Sequence, residues 1–274
     1  MSHPLPLVEG CYRTPHRRVG LLARTFPSTV FFLRFFATVC RAARRAKAGR
    51  YSSADWSDSS LEVLRTLESV GCRFEISGIP HLAEVAGPCV IVGNHMSTLE
   101  TAVLPTVVQP LREVTFVVKQ SLVDYPIFKH VMRSRDPIAI SQTNPREDLR
   151  TMLEGGVERL ARGVSLVVFP EGSRRTTFDP ALFNTIGIKL ASRANVPLLP
   201  VALETSAWGL GKTIPDLGRI DPRRPVRFAF GAPVHVSGRG ADAHQAILAF
   251  IAERLESWRA EDAARSGPGG SLGL

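Results

Sequence analysis

From residue 52 onward, apolar positions switch between two periods along the chain. "SSADWSDSSLEVLRTLESVG" (52–71) sets Leu61, Leu64, Leu67 and Val70 at helical spacing behind a Ser/Asp cap. "CRFEISGIP" (72–80) alternates as a strand does, and "PCVIVG" (88–93) is a β-branched run suited to burial on both faces. The alternation repeats through a helix at 101–110, a strand at 113–119, a helix at 121–132 despite Pro126, and a short strand at 137–140. A helix at 145–162, a buried strand at 164–169, a helix at 181–195 and strands at 196–203 and 226–231 come next. "AHQAILAFIAERLESW" (243–258) closes as an amphipathic helix with Ile247, Leu248, Ile251 and Leu255 on one side. Strands separated by helices predict an α/β fold with helices on both faces of a sheet, whose sites lie at the carboxyl ends of strands. Two polar loops directly succeed buried strands there: "NHMSTLE" (94–100) and "PEGSRR" (170–175).

The first fifty residues have a different character. The chain holds 34 Lys/Arg and 25 Asp/Glu; residues 1–50 carry ten of the bases and one acid, leaving 24 of each sign, hence neutrality, in the remaining 224. Within this basic end, "FPSTVFFLRFFATVCRAARRAKAGR" (26–50) places Phe31, Phe32, Phe35 and Phe36 just before a run of arginines. A cleavable signal would carry its charges ahead of the apolar stretch. Eleven Val, Leu and Phe residues between Val19 and Cys40 favour insertion by about 0.3 to 0.6 kcal/mol each. Arg24 and Arg34 each oppose it by up to about 3 kcal/mol, and Pro27 interrupts the run. A span gains nothing, whereas a helix in the interface lets arginines reach headgroups while phenylalanines enter the acyl boundary. The expected organisation is therefore a membrane-associating segment at 1–50, a main α/β domain at 51–262 and a flexible, glycine-rich tail at 263–274. The alternative for 1–50 is an amphipathic helix packed on the protein's own core. Nucleic acid is not the expected partner, because the basic cluster lacks interleaved aromatics.

His95 and Glu100 stand five residues apart, which on a regular helix puts them on different faces. They meet only if the histidine sits in the loop and the glutamate in the first turn of the next helix; otherwise the stretch is a capped helix with a histidine nearby. Other motifs fall away. "GLGKT" (209–213) lacks the first glycine and the delivering strand of a phosphate-binding loop. No Gly-x-Ser-x-Gly elbow occurs, and no His/Asp/Glu cluster has metal spacing. The four cysteines (Cys11, Cys40, Cys72, Cys89) are far apart, as in a reducing compartment.

Taken together, "NHMSTLE" and "FPEGSRR" resemble the first and third sequence blocks of the glycerolipid (lysophosphatidate, PlsC-like) acyltransferase family. "KQSLVDYPIF" resembles its Lys-x-x-Leu…Pro segment, and "FNTIGIKLASRANVPLLPVAL" its closing helix and strand, so the resemblance runs from about Ile79 to Leu203. It implies a mixed, largely parallel sheet flanked by helices, with an N-terminal amphipathic membrane anchor. It implies a catalytic His95–Glu100 pair, and substrate contacts from Asn94, Lys119, Glu171, Gly172, Ser173, Arg174 and Arg175. Lys119 reads equally well as an ordinary surface lysine. Two departures stand out. The first-block acid is Glu100 where the family has Asp. The second block, normally Gly-x-Ile-x-Ile-Asp-Arg, reads "DPIAISQ" and puts Gln142 where an arginine associated with the acceptor phosphate is expected. Arg133, Arg135 and Arg146 are candidate substitutes.

The implied reaction is transfer of an acyl group from acyl-CoA or acyl carrier protein to the hydroxyl of a lysophospholipid at the cytoplasmic face of a membrane. It uses no metal and no cofactor beyond that co-substrate. His95 serves as general base, Glu100 fixes its tautomer, and backbone N–H groups at the helix start supply oxyanion donors. Two other readings compete: an acceptor that is a different lysolipid or an amino-acid lipid, and a non-catalytic lipid-surface binder.

Overall fold

The computed structural model describes residues 3–126 and 128–266; the tail beyond Ser266 lies outside the described residues. In chain order the elements are β1 (Tyr12–Arg13), α1 (Leu21–Thr25), α2 (Pro27–Lys47), α3 (Ser53–Ser69), β2 (Phe74–Ser77), α4 (Ile79–Glu84) and β3 (Val90–Gly93). Then come α5 (Thr98–Val108), β4 (Val114–Lys119), α6 (Gln120–Asp124), α7 (Lys129–Ser134), β5 (Ile138–Ile140) and α8 (Pro145–Ala161). β6 (Ser165–Val168), α9 (Ile186–Ala194), β7 (Leu198–Glu204), β8 (Val226–Phe230) and α10 (Ala241–Ser266) complete the chain.

The strands form one sheet in the order β1-β2-β8-β7-β3-β6-β4-β5. β7, β3, β6, β4 and β5 run parallel; β8 is antiparallel to β7, and β1 is antiparallel to β2. This is the mixed, largely parallel sheet expected. Because successive side chains point to opposite faces, β3 splits its apolar run between two cores. Ile91 joins the core beneath α2, α3 and α5, whereas Val90 and Val92 join the one beneath α8, α9 and α10. All four residues of β3 are buried, as are all four of β6, which accounts for their continuous apolar reading. Gly93 ends β3 where β7 presses closest: a Cβ there would meet Val201 Cγ1 at 2.6 Å.

Three boundaries differ from expectation. The helix at 121–132 is two short helices, α6 and α7, because Pro126 removes a donor and turns the preceding backbone away from helix. The helix at 181–195 begins only at Ile186, because the Asn184 side chain accepts from Ile186 N and donates to Pro170 O. The closing helix runs to Ser266, so residues 263–266 are helical and not tail.

The largest correction concerns residues 1–50, which are not a separate appendage. β1 adds a strand to the sheet, and Tyr12 is buried with its hydroxyl between Glu68 and Arg65 of α3. On α2, Phe31 and Phe35 are buried; both pack edge-on against Trp208, at centroid distances of 4.8 and 5.2 Å. Phe32 and Phe36 are half-buried. The four phenylalanines span about 140° of the helix, with Phe31 and Phe35 pointing into the body and Phe32 and Phe36 packed against the margin of the same core. Part of the basic cluster is neutralised as well, since Arg41 pairs with Glu62 and Arg45 with Asp55 of α3. No described helix is long and apolar enough to cross a membrane.

Phe31→Ala should therefore cost about 3 to 5 kcal/mol of folding stability, read as a lower denaturant midpoint. Leu33→Ala, on the exposed side of the same helix, should stay within about 0.5 kcal/mol of the parent.

Candidate active site

The loop after β3 is fixed before it reaches the histidine. Asn94 is buried, and its amide makes a two-way pair with the Leu203 backbone of β7, donating to O at 2.8 Å and accepting from N at 2.9 Å. This pair sets where the chain leaves the strand, so Asn94 acts first as a brace between β3 and β7.

His95 and Glu100 meet as the spacing required, with the histidine in the loop and the glutamate in the first turn of α5. His95 Nδ1 lies 2.9 Å from Glu100 Oε1. The same oxygen accepts the Met96 and Ser97 N–H groups at 2.7 and 2.8 Å; Oε2 accepts the hydroxyls of Ser97 and Thr205 at 2.9 and 2.6 Å. Glu100 is fully buried. Burial pushes its carboxyl upward, but the bond to and proximity of His95, with those from Thr205 and Ser97, outweigh it and hold the group below the ordinary carboxylate range. An ionised carboxylate only accepts, so Nδ1 carries the proton and Nε2 presents its lone pair. The contribution of this carboxylate to stability is complete above its unfolded pKa and is lost only as pH falls through the depressed folded value.

Glutamate in place of aspartate suits this helix start. Ser97 and Glu100 form a capping box, in which the longer side chain reaches back to the N-cap amide. The box also corrects an expectation: Met96 and Ser97 N–H are committed to Glu100, and Leu99 N–H to Ser97 Oγ, so those three amides are not oxyanion donors.

The loop after β6 docks onto the same histidine. Glu171 Oε2 accepts the His95 backbone N–H at 2.7 Å, and Arg175 N–H donates to His95 O at 2.8 Å. Phe169 stacks its ring on the imidazole at a centroid distance of 4.4 Å and an interplanar angle of 10°. Gly172 turns this loop at a φ of 68°, with open space where a Cβ would stand, and Ser173 and Arg175 are exposed. Arg174 is a brace: its Nη1 donates to Asp216 Oδ1 at 2.7 Å and to the Thr98 hydroxyl. Glu171 does not orient Arg174; its Oε1 is buried and meets no donor at ordinary hydrogen-bond geometry among the described residues. Burial, only partly offset by the backbone N–H groups of His95 and Asp179 and by the nearby charge of Arg175, holds the Glu171 carboxyl above the ordinary range.

The second block reaches the same rim. Lys119 ends β4 opposite Ile140, and extending the β4–β6 register from Phe116–Val167 brings it level with Pro170. Its side chain is exposed. The Gln142 side-chain amide donates to Gly172 O at 3.1 Å, so the position expected to hold arginine lies against the third-block loop with an uncharged group. Of the candidate substitutes, Arg135 is turned inward over Tyr51 and Trp56, and Arg133 pairs with Asp124; Arg146 is exposed at the start of α8. Asp136, aligned with the block's glycine, adopts a φ of 47° and pairs with Arg159 and Arg162.

Phe169, Thr205 and Asp216 are the site neighbours that sequence reasoning missed. Phe169 was within reach, since it opens the third block. Thr205 and Asp216 arrive from the end of β7 and from the β7–β8 loop, whose pairing with the first loop has no local signal. The "GLGKT" stretch lies in that loop, between bridging residues Trp208 and Ile220, with no helix after it. Among the described residues, no group of three or more His, Cys, Asp or Glu stands where it could hold a metal ion.

Residues 73–204 match the family model described as Acyltransferase. The 1-acyl-sn-glycerol-3-phosphate acyltransferase of Pseudomonas aeruginosa is 29% identical over 219 residues, covering 80% of this chain and 79% of that protein. The protein of the same description from Escherichia coli is 27% identical over 182 residues, covering 66% and 71%. A crystal structure of the LPA acyltransferase PlsC from Thermotoga maritima superposes with a TM-score of 0.65 at 17% identity, over 85% of this chain and 95% of that one, a likeness of fold. These likenesses support a PlsC-like acyltransferase enzyme, with residues 73–204 matching its Acyltransferase domain. The non-catalytic reading is set aside.

Replacing Glu171 by glutamine keeps an acceptor for His95 N–H and removes a buried charge. A carboxyl whose folded pKa is raised destabilises the fold as pH rises above its unfolded value. Glu171→Gln should therefore raise Tm at pH 7–8, with the gain vanishing on acidification to pH 4, in thermal melts across that range.

Proposed function

We propose that the chain transfers an acyl group from a thioester donor to the free hydroxyl of 1-acyl-sn-glycerol-3-phosphate in phospholipid synthesis. The observation that carries the mechanism is the 2.9 Å contact between His95 Nδ1 and the buried Glu100 carboxylate. With Nδ1 protonated, Nε2 takes the proton of the acceptor hydroxyl as its oxygen bonds to the thioester carbon. The tetrahedral intermediate then collapses, the C–S bond breaks, and the imidazolium returns the proton to the departing thiolate. Glu100 stabilises the transient imidazolium and holds the ring's orientation, and Phe169 buttresses its face. No acyl-enzyme is needed, because the thioester arrives activated. Lys119 and Arg175, both exposed at the rim, supply charge for the acceptor's phosphate.

Gln142 favours one second reading, in which the acceptor is a lysolipid without a phosphomonoester, because the arginine that would pair with that group is missing from its expected place. An acceptor panel decides between the two. Purified enzyme with a labelled acyl thioester should acylate 1-acyl-sn-glycerol-3-phosphate, and His95→Ala should lower kcat by about 10²- to 10⁴-fold at unchanged circular dichroism. Product from phosphate-free acceptors alone selects the second reading, and activity surviving in the variant refutes the dyad.

The acceptor is an amphiphile, and the protein offers a surface to meet it. Leu21, Leu22, Phe26 and Leu33 are 58 to 73% exposed. Phe26 is the residue before α2 and Leu33 lies on that helix, and Arg17, Arg18, Arg24 and Arg44 are exposed nearby in sequence. This stripe lies in the membrane interface on the cytoplasmic side, in place of the buried phenylalanines. Leu22→Ser/Phe26→Ser/Leu33→Ser should lose most binding to anionic vesicles in a flotation assay, without loss of Tm.

A further inference from the structure

Away from the dyad, on the sheet face that carries α8, α9 and α10, an open groove of about 580 Å³ runs beside α9. Leu153 and Ile188 lie along it, with Lys189, Arg193 and Arg239 among its lining side chains. A smaller cleft of about 230 Å³ continues from Arg193 to Arg146 and Arg150 on α8. Arg150 is occupied by Glu147 at 2.9 Å. The other four cationic side chains are exposed and make no hydrogen bond or ion pair among the described residues. The carboxylate in the lining is Glu154. Outside residues 1–50 the chain is neutral overall, so four unpaired cations around one groove are a local concentration and not a general basic surface.

The groove also connects to the chemistry. It starts at Thr185, beside Asn184, whose side chain holds the Pro170 carbonyl next to Glu171. From Thr185 to Arg193 is roughly 12 Å along the helix. Volume and lining suit a small molecule with a polar, multiply charged end. A membrane surface is the weaker occupant, because the exposed apolar stripe of α1 and α2 lies with the helices on the opposite face of the sheet.

We propose that this groove binds the 3′-phosphorylated ADP end of an acyl-CoA donor, with Lys189, Arg193, Arg239 and Arg146 as its phosphate ligands. An extended pantetheine arm, comparable to about five residues of chain, spans roughly 17 Å, more than the roughly 12 Å from Arg193 to Thr185 at the start of α9, the end of the groove that faces the rim. Lipid acceptor and water-borne donor then approach the rim from opposite faces of the sheet. The inference rests on the thioester-dependent transfer proposed above and names where its donor is held.

The test compares donors that share the thioester and differ in the group carried beyond its sulfur: acyl-CoA, acyl-N-acetylcysteamine and acyl carrier protein. In the full chain, Arg193→Glu and Lys189→Ala/Arg193→Ala should raise KM for acyl-CoA by about tenfold or more. Turnover of acyl-N-acetylcysteamine, which has no phosphate, should stay within about twofold of the parent. Calorimetric titration with adenosine 3′,5′-bisphosphate, independent of turnover, should show binding to the parent that both variants lose. An unchanged KM for acyl-CoA, an equal loss with both small donors, or a response confined to acyl carrier protein overturns the assignment. So does a parent that fails to bind the bisphosphate. Absence of turnover with every donor, while bisphosphate binding persists and is lost in the variants, refutes the catalytic reading and leaves the groove as a nucleotide site.

Discussion

A buried carboxylate that must remain charged organises this structure. Removing an ionised carboxylate from water costs several kcal/mol unless its lone pairs are met by donors. Glu100 meets that cost with five: the His95 imidazole, two backbone amides and the hydroxyls of Ser97 and Thr205. Those donors come from the loop after β3, the N-cap Ser97 of α5 and Thr205 just after β7. Satisfying one side chain therefore joins two adjacent strand ends and a helix start. The imidazole is one of the five, so the constraint that keeps the charge tolerable also selects the tautomer a general base needs.

The third-block loop is attached by a different device. It binds the backbone of His95, through Glu171 Oε2 on the amide and the Arg175 amide on the carbonyl. The ring is left to Phe169 on one face and to solvent or substrate at Nε2. Glu171 and Glu100 are thus paired opposites. One is buried with ample donors and held below the usual range; the other is buried with one oxygen unmatched and pushed above it. Environments that drive two carboxyl groups apart in this way mark a site where charge is used and not merely stored.

Much of this was legible in the sequence because it is local. β3 and β6 read as buried strands, and a five-residue interval from His95 to Glu100 fits a loop and a capped helix and little else. The illegible part is non-local. Thr205 is more than a hundred residues from the carboxylate it serves, and Asp216 is reached only through an irregular loop. The N-terminal phenylalanines failed for another reason. A dense apolar run satisfies the period of a buried helix and that of an interfacial one at once, and the arbiter is Trp208, which closes over Phe31 and Phe35 from a distant part of the chain. Hydrophobicity indicated that α2 is sticky, but only the tertiary fold indicates which side is already satisfied.

The departure at the second block is best understood as a change that keeps backbone geometry while altering charge. Asp136 and Gln142 both hold left-handed backbone, at φ of 47° and 60°, which costs an L-residue energy unless its surroundings impose it. At Asp136 the carboxylate recovers that cost in pairs with Arg159 and Arg162. At Gln142 the recovery comes from Asp148, which accepts the amides of both Ser141 and Gln142 at 2.8 Å. The loop is thus held in shape chiefly by Asp148 of α8, and the Gln142 side chain adds one uncharged bond, to Gly172 O of the third-block loop. The charge carried at this position can therefore change independently of the His95–Glu100 pair, which draws on none of these groups.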